Sequence, residues 1–189
     1  MSVIPNKNLI ILTSALKASV GVVGFEDRCK QTIETLQSLR KHFPNDIILF
    51  TDGSPVPIEH EPIMQEVAKY VNAIIGWSGD VDIQQLASTG RKSEAETMML
   101  FKMMVALKQN PELMKMMHEV KRIWKYSSRT TLDDNFNIKD HDHFGKYVFK
   151  KRIPSWMPKE RRDTITDSLL ITRMYSRSEE HTSELQSHS

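Results

Sequence analysis

The sequence predicts an α/β protein with an open, mostly parallel, twisted sheet and flanking helices. Three observations carry that expectation. Two continuous apolar runs, Leu9-Ile10-Ile11-Leu12 and Ile47-Ile48-Leu49-Phe50, lack polar alternation, as strands covered on both faces do. A helix-periodic segment lies between them, and strand–helix–strand of this length suits a parallel crossover. The 189 residues, 39% apolar, suffice for one domain with one core.

The elements follow in order. Leu9 to Thr13 reads as a buried strand ending in small polar residues. The stretch 14–24 is a loop rich in small residues, with Gly21 and Gly24. From Glu26, Cys29, Ile33, Leu36 and Phe43 share one helical face until Pro44-Asn45 stops it. The strand at Ile47 ends at Asp52-Gly53, a turn signal. Residues 61–70 predict a second helix, with Ile63, Val67 and Tyr70 as its stripe, and 73–77 a short strand. Residues 81–90 read as a helical turn or loop. A strong helix is expected over 93–109, with Ser93 as N-cap and Glu96 completing a capping box. A short helix over 111–118 follows.

The character changes after Glu119. Strands are expected at 122–127, 147–149 and 169–174, with an acidic, His-containing loop at 133–144. The plan is a β/α half over 1–118 and a β-rich half of the same domain over 119–176. Residues 177–188 read RSEEHTSELQSH, a translation of a common sequencing adapter, so 177–189 are set aside as non-native. The tail holds one Arg and three Glu, so the formal charge of +2 becomes +4 without it. The natural chain is expected to continue further, leaving the domain C-terminally truncated.

Composition excludes several classes. A lone cysteine, Cys29, rules out a disulfide scaffold and a zinc ribbon; it reads as a small core residue. The charge is far from that of a nucleic-acid binder. No apolar run approaches the roughly 18 residues that span a bilayer, and no signal layout precedes Leu9. A soluble, cytoplasmic protein is expected. Neither G-x-G-x-x-G after the first strand nor G-x-x-x-x-G-K-[ST] is present.

Several residue groups carry chemical potential. In an open parallel sheet, ligands bind beyond the carboxyl ends of the strands, where Thr13, Ser14 and Asp52 fall. Asp52 suits hydrogen bonds from a ribose or base edge, or simply makes a turn. Arg91-Lys92-Ser93 opens a helix, whose free N–H groups and dipole favour a diphosphate. Alternation puts Lys125, Ser127 and Arg129 on one face of a strand, an anion clamp or the wet face of an edge strand. Asp133-Asp134 and Asp140-His141-Asp142-His143 offer carboxylates and imidazoles for a divalent metal or a polar loop. The run of methionines between Met98 and Met117 reads as core.

The order of these features resembles the nucleotide-binding half of a GT-A type glycosyltransferase. It is similar to glycosyltransferase-like proteins of phage, large viruses and environmental sequences. Their first strand ends in Thr-Ser-Ala, as at Thr13-Ser14-Ala15. An Arg-x-x-Gln-Thr helix follows, matched by Arg28, Gln31 and Thr32, then a Lys-Ser…Glu helix start, matched by Lys92, Ser93 and Glu96. A Lys-x-Ser-Gly-Arg-Tyr strand is matched by Lys125 to Thr130, with Ser128 where Gly is usual and Thr130 where Tyr is usual. The resemblance covers nearly all of 9–176.

It implies a Rossmann-like GT-A fold and transfer of a sugar from a nucleotide-diphosphate sugar to a glycan, lipid or protein acceptor, in the host cytoplasm if viral. Thr13, Ser14, Ala15, Arg28, Asp52, Lys92 and Ser127 would hold the donor. Lys125 and Arg129, with Lys92, would stabilise the leaving diphosphate, and an inverting enzyme would draw its general base from Asp133, Asp134, Asp140, Asp142 and Asp163. Most such enzymes hold Mn2+ or Mg2+ on a D-x-D pair; here cations stand on that strand, and Asp140 and Asp142 remain the metal candidates. A non-catalytic nucleotide-sugar or glycan-binding module with the same fold is the alternative. A sugar-activating nucleotidyltransferase would carry a Gly-rich, Arg- and Lys-containing first loop, and 14–24 has Lys17 but no Arg.

Overall fold

A computed structural model describes residues 7–19 and 23–138, together with two short strands at 148–149 and 174–176. The chain runs β1 (Lys7–Ser14), α1 (Phe25–His42), β2 (Ile47–Asp52), α2 (Pro62–Ala68), β3 (Ala73–Gly76), α3 (Val81–Ser88), α4 (Lys92–Gln109), α5 (Pro111–Met117) and β4 (Val120–Ser127). Then come β5 (Val148–Phe149) and β6 (Met174–Ser176), an antiparallel pair forming a separate small sheet. The expected strand at 169–174 lies outside the described residues except at its last position.

The main sheet is twisted and all-parallel, with strand order β3-β2-β1-β4. β1 is central, pairing Leu12 with Phe50 on one side and with Tyr126 on the other. It is buried from Asn8 to Ser14, and β2 along its whole length. This explains why both read as unbroken apolar runs: helices cover both faces. One layer packs Ile10, Leu12, Ile48, Phe50, Trp124 and Tyr126 against Leu36, Leu39 and Phe43 of α1 and Met64 and Val67 of α2. The other packs Leu9, Ile11, Ile47 and Leu49 against Met103 and Leu107 of α4, with Leu113 and Met116 of α5 alongside. Burial of Met99 and Met103 agrees with the core reading of the methionines, whereas Met104 and Met114 are exposed.

Three local readings change. Residues 81–88 form a full helix, capped by Asp80, whose side chain accepts the Ile83 N–H. α4 begins at Lys92, and its N-cap is Arg91 with no side-chain cap bond. Ser93 is therefore not the cap, and Glu96 is spent elsewhere. β4 ends at Ser127, so Arg129 belongs to the turn that follows, and strand alternation does not aim it.

Because β1 leads to β2 through α1 while β4 returns on the other flank, strand order reverses between β1 and β4. In open α/β sheets, ligands bind outside the carboxyl ends of the strands at such a point.

Candidate functional site

Thr13, Ser14 and Ala15 close β1, and Lys125, Ser127, Ser128 and Arg129 close β4, on the two sides of this switch point. Thr13 and Ser127 are paired in register. The chain crosses tightly here: Ser128 N–H donates to the Thr13 carbonyl at 3.0 Å, and Thr35 Oγ1 of α1 donates to the Ser128 carbonyl at 3.1 Å. Ser128 is buried, so its side chain is accommodated where the resemblance has glycine.

The loop after β1 is tied down by charge. Asp52 is only 1% exposed; one carboxylate oxygen accepts the Leu16 N–H at 2.9 Å and the other the Ser54 N–H at 2.8 Å. Asp52 thus organises the β1–α1 and β2–α2 loops, with its oxygens committed to backbone rather than held open toward a ribose. Arg28, in the first turn of α1, completes the loop. Its Nε donates to the Val23 carbonyl at 2.9 Å and Nη1 to that of Ala15 at 3.1 Å. Lys17 pairs with Glu61 and lies over the Phe25 ring. Cys29 packs beside the core, and burial, then Glu61, raise its thiol pKa. The sequence reads Cys29 as a small core residue; the side chain lies half-buried against that core.

Opposite α1, the first turn of α4 reaches the same strands. Glu96 Oε1 accepts from Thr13 Oγ1 at 2.5 Å and from Lys125 Nζ at 2.7 Å. Lys125 is 6% exposed, so it is a buried cation with its counter-ion rather than a free phosphate ligand. Its charge is offset by Glu96 rather than presented on an open face of the strand.

Arg28 from α1, Lys92 from α4 and Arg129 after β4 lie near enough to act on one another's ionisation. Loss of water, and then the like charge of Arg129, hold the Arg28 guanidinium below its ordinary value, against the pull of Asp52. Partial desolvation, then Arg28, then Arg129, push the Lys92 amine below its usual range. Like charges brought together from three elements store repulsion that an anion relieves.

The remaining candidates fall elsewhere. After β4 the chain turns down along α1: Leu132 N–H donates to Ser38 Oγ at 3.1 Å, and Phe136 packs on His42, Phe43 and Trp124. Asp134 pairs with Lys41 at 2.5 Å. Lys41 lies about 20 Å from Arg28 along α1, at ~1.5 Å per residue. Asp133 caps a local turn through the Asn135 N–H. Both are exposed and belong to the amino-terminal side of the sheet, apart from Thr13 and Arg28. Asp140 and Asp142 lie outside the described residues.

The donors that the described residues bring to the carboxyl ends of β1 and β4 do not fit Mn2+ or Mg2+. Among the described residues no group of three or more His, Cys, Asp or Glu side chains is arranged to hold a metal. Asp52 is engaged with two amides, and Glu96 with Lys125 and Thr13. Among the described residues, no helix is long and apolar enough to cross a membrane.

The fold is that of an α/β protein with a twisted, all-parallel four-stranded sheet and flanking helices, consistent with a Rossmann-like architecture. No known family matches the chain, and neither does any curated protein or solved structure.

Proposed function

We propose that the carboxyl ends of β1 and β4 bind the diphosphate of a nucleotide sugar, and that the chain transfers the sugar to a glycan, lipid or protein acceptor without a resident metal ion. The observation that carries this reading is the grouping of Arg28, Lys92 and Arg129 at the β1–β4 switch point, where each depresses or is depressed by its neighbours. A leaving nucleoside diphosphate gains negative charge as the glycosidic bond breaks. Preorganised cations stabilise that charge without reorganising, as a metal would elsewhere. Arg28 suits the task because its Nε and Nη1 are already fixed on backbone carbonyls, so its guanidinium is held in place before a ligand arrives.

The test has two stages. Thermal shift against nucleoside diphosphates and nucleotide sugars reads binding; release of nucleoside diphosphate, with and without chelator, reads turnover. Stabilisation that survives chelator and is lost in Arg129→Ala supports the reading. A strict requirement for Mn2+ refutes its metal-free form.

One observation favours a second reading, the non-catalytic binding module. Asp133 and Asp134 sit about 20 Å down α1 from Arg28, away from any acceptor hydroxyl that a base there would activate. Binding without release of nucleoside diphosphate selects that reading.

A further inference from the structure

α1 and α4 are each 18 residues long and pack on opposite faces of the main sheet, yet their outward faces differ in chemistry. α1 exposes Lys30, Glu34, Gln37 and Lys41, the polar face that a surface helix turns to water. α4 buries Ala95, Met99, Met103 and Leu107 on its inner side. Opposite them it exposes Phe101 by 64%, Met104 by 40% and Val105 by 39%. A helix that is apolar on both sides belongs between two layers, and among the described residues only the inner layer is present.

The exposed positions Glu94, Thr97, Phe101, Met104 and Lys108 alternate spacings of three and four, the seam of a paired helix. Its apolar residues lie in the middle, an acid closes one end and a base the other. Glu94 and Lys108 each lie seven residues from Phe101, so the seam complements itself under a two-fold rotation. With two copies antiparallel and the axis at Phe101, Glu94 meets Lys108 of the second copy at both ends. Thr97 then meets Val105, and Phe101 meets its own mate. Glu94 also holds Arg91 of its own helix, but both are exposed and a carboxylate accepts further hydrogen bonds, so the lysine joins without displacing the arginine. A partner of unrelated sequence has no reason to match this symmetry. A membrane-surface helix carries Lys and Arg along its polar flank rather than one acid and one base within the seam.

We propose that α4 is a self-association surface, on which two copies of this chain pair antiparallel about a two-fold axis at Phe101. The inference stands apart from the nucleotide-sugar reading and does not fall with it.

The test uses the whole chain. The seam runs about 21 Å from Glu94 to Lys108, a small interface, so sedimentation velocity should show monomer giving way to dimer between about 1 and 200 μM. Phe101→Glu sets two carboxylates face to face on the axis and should weaken association by about tenfold or more. Glu94→Lys or Lys108→Glu alone puts like charges together at both ends and should weaken it about three- to tenfold. The two together exchange the signs and should restore the unaltered affinity. Glu34→Lys, a charge reversal on the outer face of α1, should change nothing. These positions are all exposed, and circular dichroism and Tm check that the fold is kept. Cross-linking reads the register. In a Cys29→Ala background, Phe101→Cys should oxidise to a linked dimer, whereas Glu94→Cys, about 21 Å from its mate, should not.

A chain that stays monomeric up to about 500 μM overturns the proposal, as does a dimer that Phe101→Glu leaves intact. So does a double charge reversal that fails to recover what either single reversal loses, or equal cross-linking at positions 94 and 101.

Discussion

Replacing Asp52 by Asn should cost the fold about 3 kcal/mol. The side chain is buried and gives one oxygen to each of two backbone N–H groups, Leu16 and Ser54, at 2.9 and 2.8 Å. Hydrogen bonds to a charged acceptor contribute about 1.5–3 kcal/mol each. Asparagine keeps one carbonyl oxygen, so one of the two bonds survives as a weaker neutral bond. The other amide then faces an –NH2 group, two donors without an acceptor, in a place water does not reach. The sum of one lost bond and one weakened bond is about 3 kcal/mol, a fall in Tm of about 6–12 °C for a domain of this size. Urea unfolding followed by tryptophan fluorescence and circular dichroism measures it, with an unchanged m-value showing that only the native state was altered. The substitution also frees the segment whose Ala15 carbonyl receives Arg28, so the loop should exchange amide protons faster at Leu16 and Lys17 than elsewhere in the core. A loss below about 0.5 kcal/mol, which is what an ordinary surface change gives, would refute the assignment of Asp52 as the anchor of these loops.

Other perturbations have definite signs. Lys92→Gln should weaken anion binding and lift Tm only slightly at neutral pH, because Lys92 is exposed and solvent screens the repulsion. The Lys92 amine is depressed below its ordinary 10.5 in the folded state, so its contribution to stability is present above that pH and lost as pH falls through the window. At pH 7 the charge acts against folding, and differential scanning at pH 7 and 10.5 should show the gain shrink at the higher pH. Gly53→Ala would bring a Cβ to 2.7 Å from Met99 Sδ, near the far end of a flexible side chain, and should cost under about 1 kcal/mol; Met99→Ala in the same chain should remove that cost in a double-mutant cycle. Lys125→Met should be strongly destabilising, by about 3–5 kcal/mol, because it strands the Glu96 carboxylate; Lys125→Met with Glu96→Gln should recover much of the loss in denaturant titrations.

The fold was legible where local pattern and burial agree. Leu9–Leu12 and Ile47–Phe50 were readable as parallel strands because a two-sided layer demands apolar residues at every position, and few other structures do. α1 was readable from its stripe and its stop at Pro44-Asn45. The short α3 was harder, since only Ile83 of its eight residues is buried and the stripe is too brief to declare a period. Arg28, Lys92 and Arg129 were each visible as cations, yet their meeting depends on strand order, which no local window contains. Glu96 shows the limit most clearly. Three residues after Ser93 it satisfies a capping rule, and only Lys125, buried twenty-nine positions later on the outer strand, calls it away. The placing of Asp133 and Asp134 was hidden for a similar reason: the turn at Ser128 and Arg129 sends the chain down α1, away from the carboxyl ends of the strands.

The place of β1 between β2 and β4 bears on how the polypeptide is made. Ile10 lies beside Ile48 early, but its other neighbour, Trp124, leaves the ribosome more than a hundred residues afterwards. At the usual synthesis rate of 5–20 residues per second, that flank of the first strand waits roughly 6–20 s for its cover. Throughout this interval a nascent chain presents one unpaired hydrophobic strand edge, the kind of surface that holdase chaperones occupy and that sticks to neighbouring nascent chains on a crowded message.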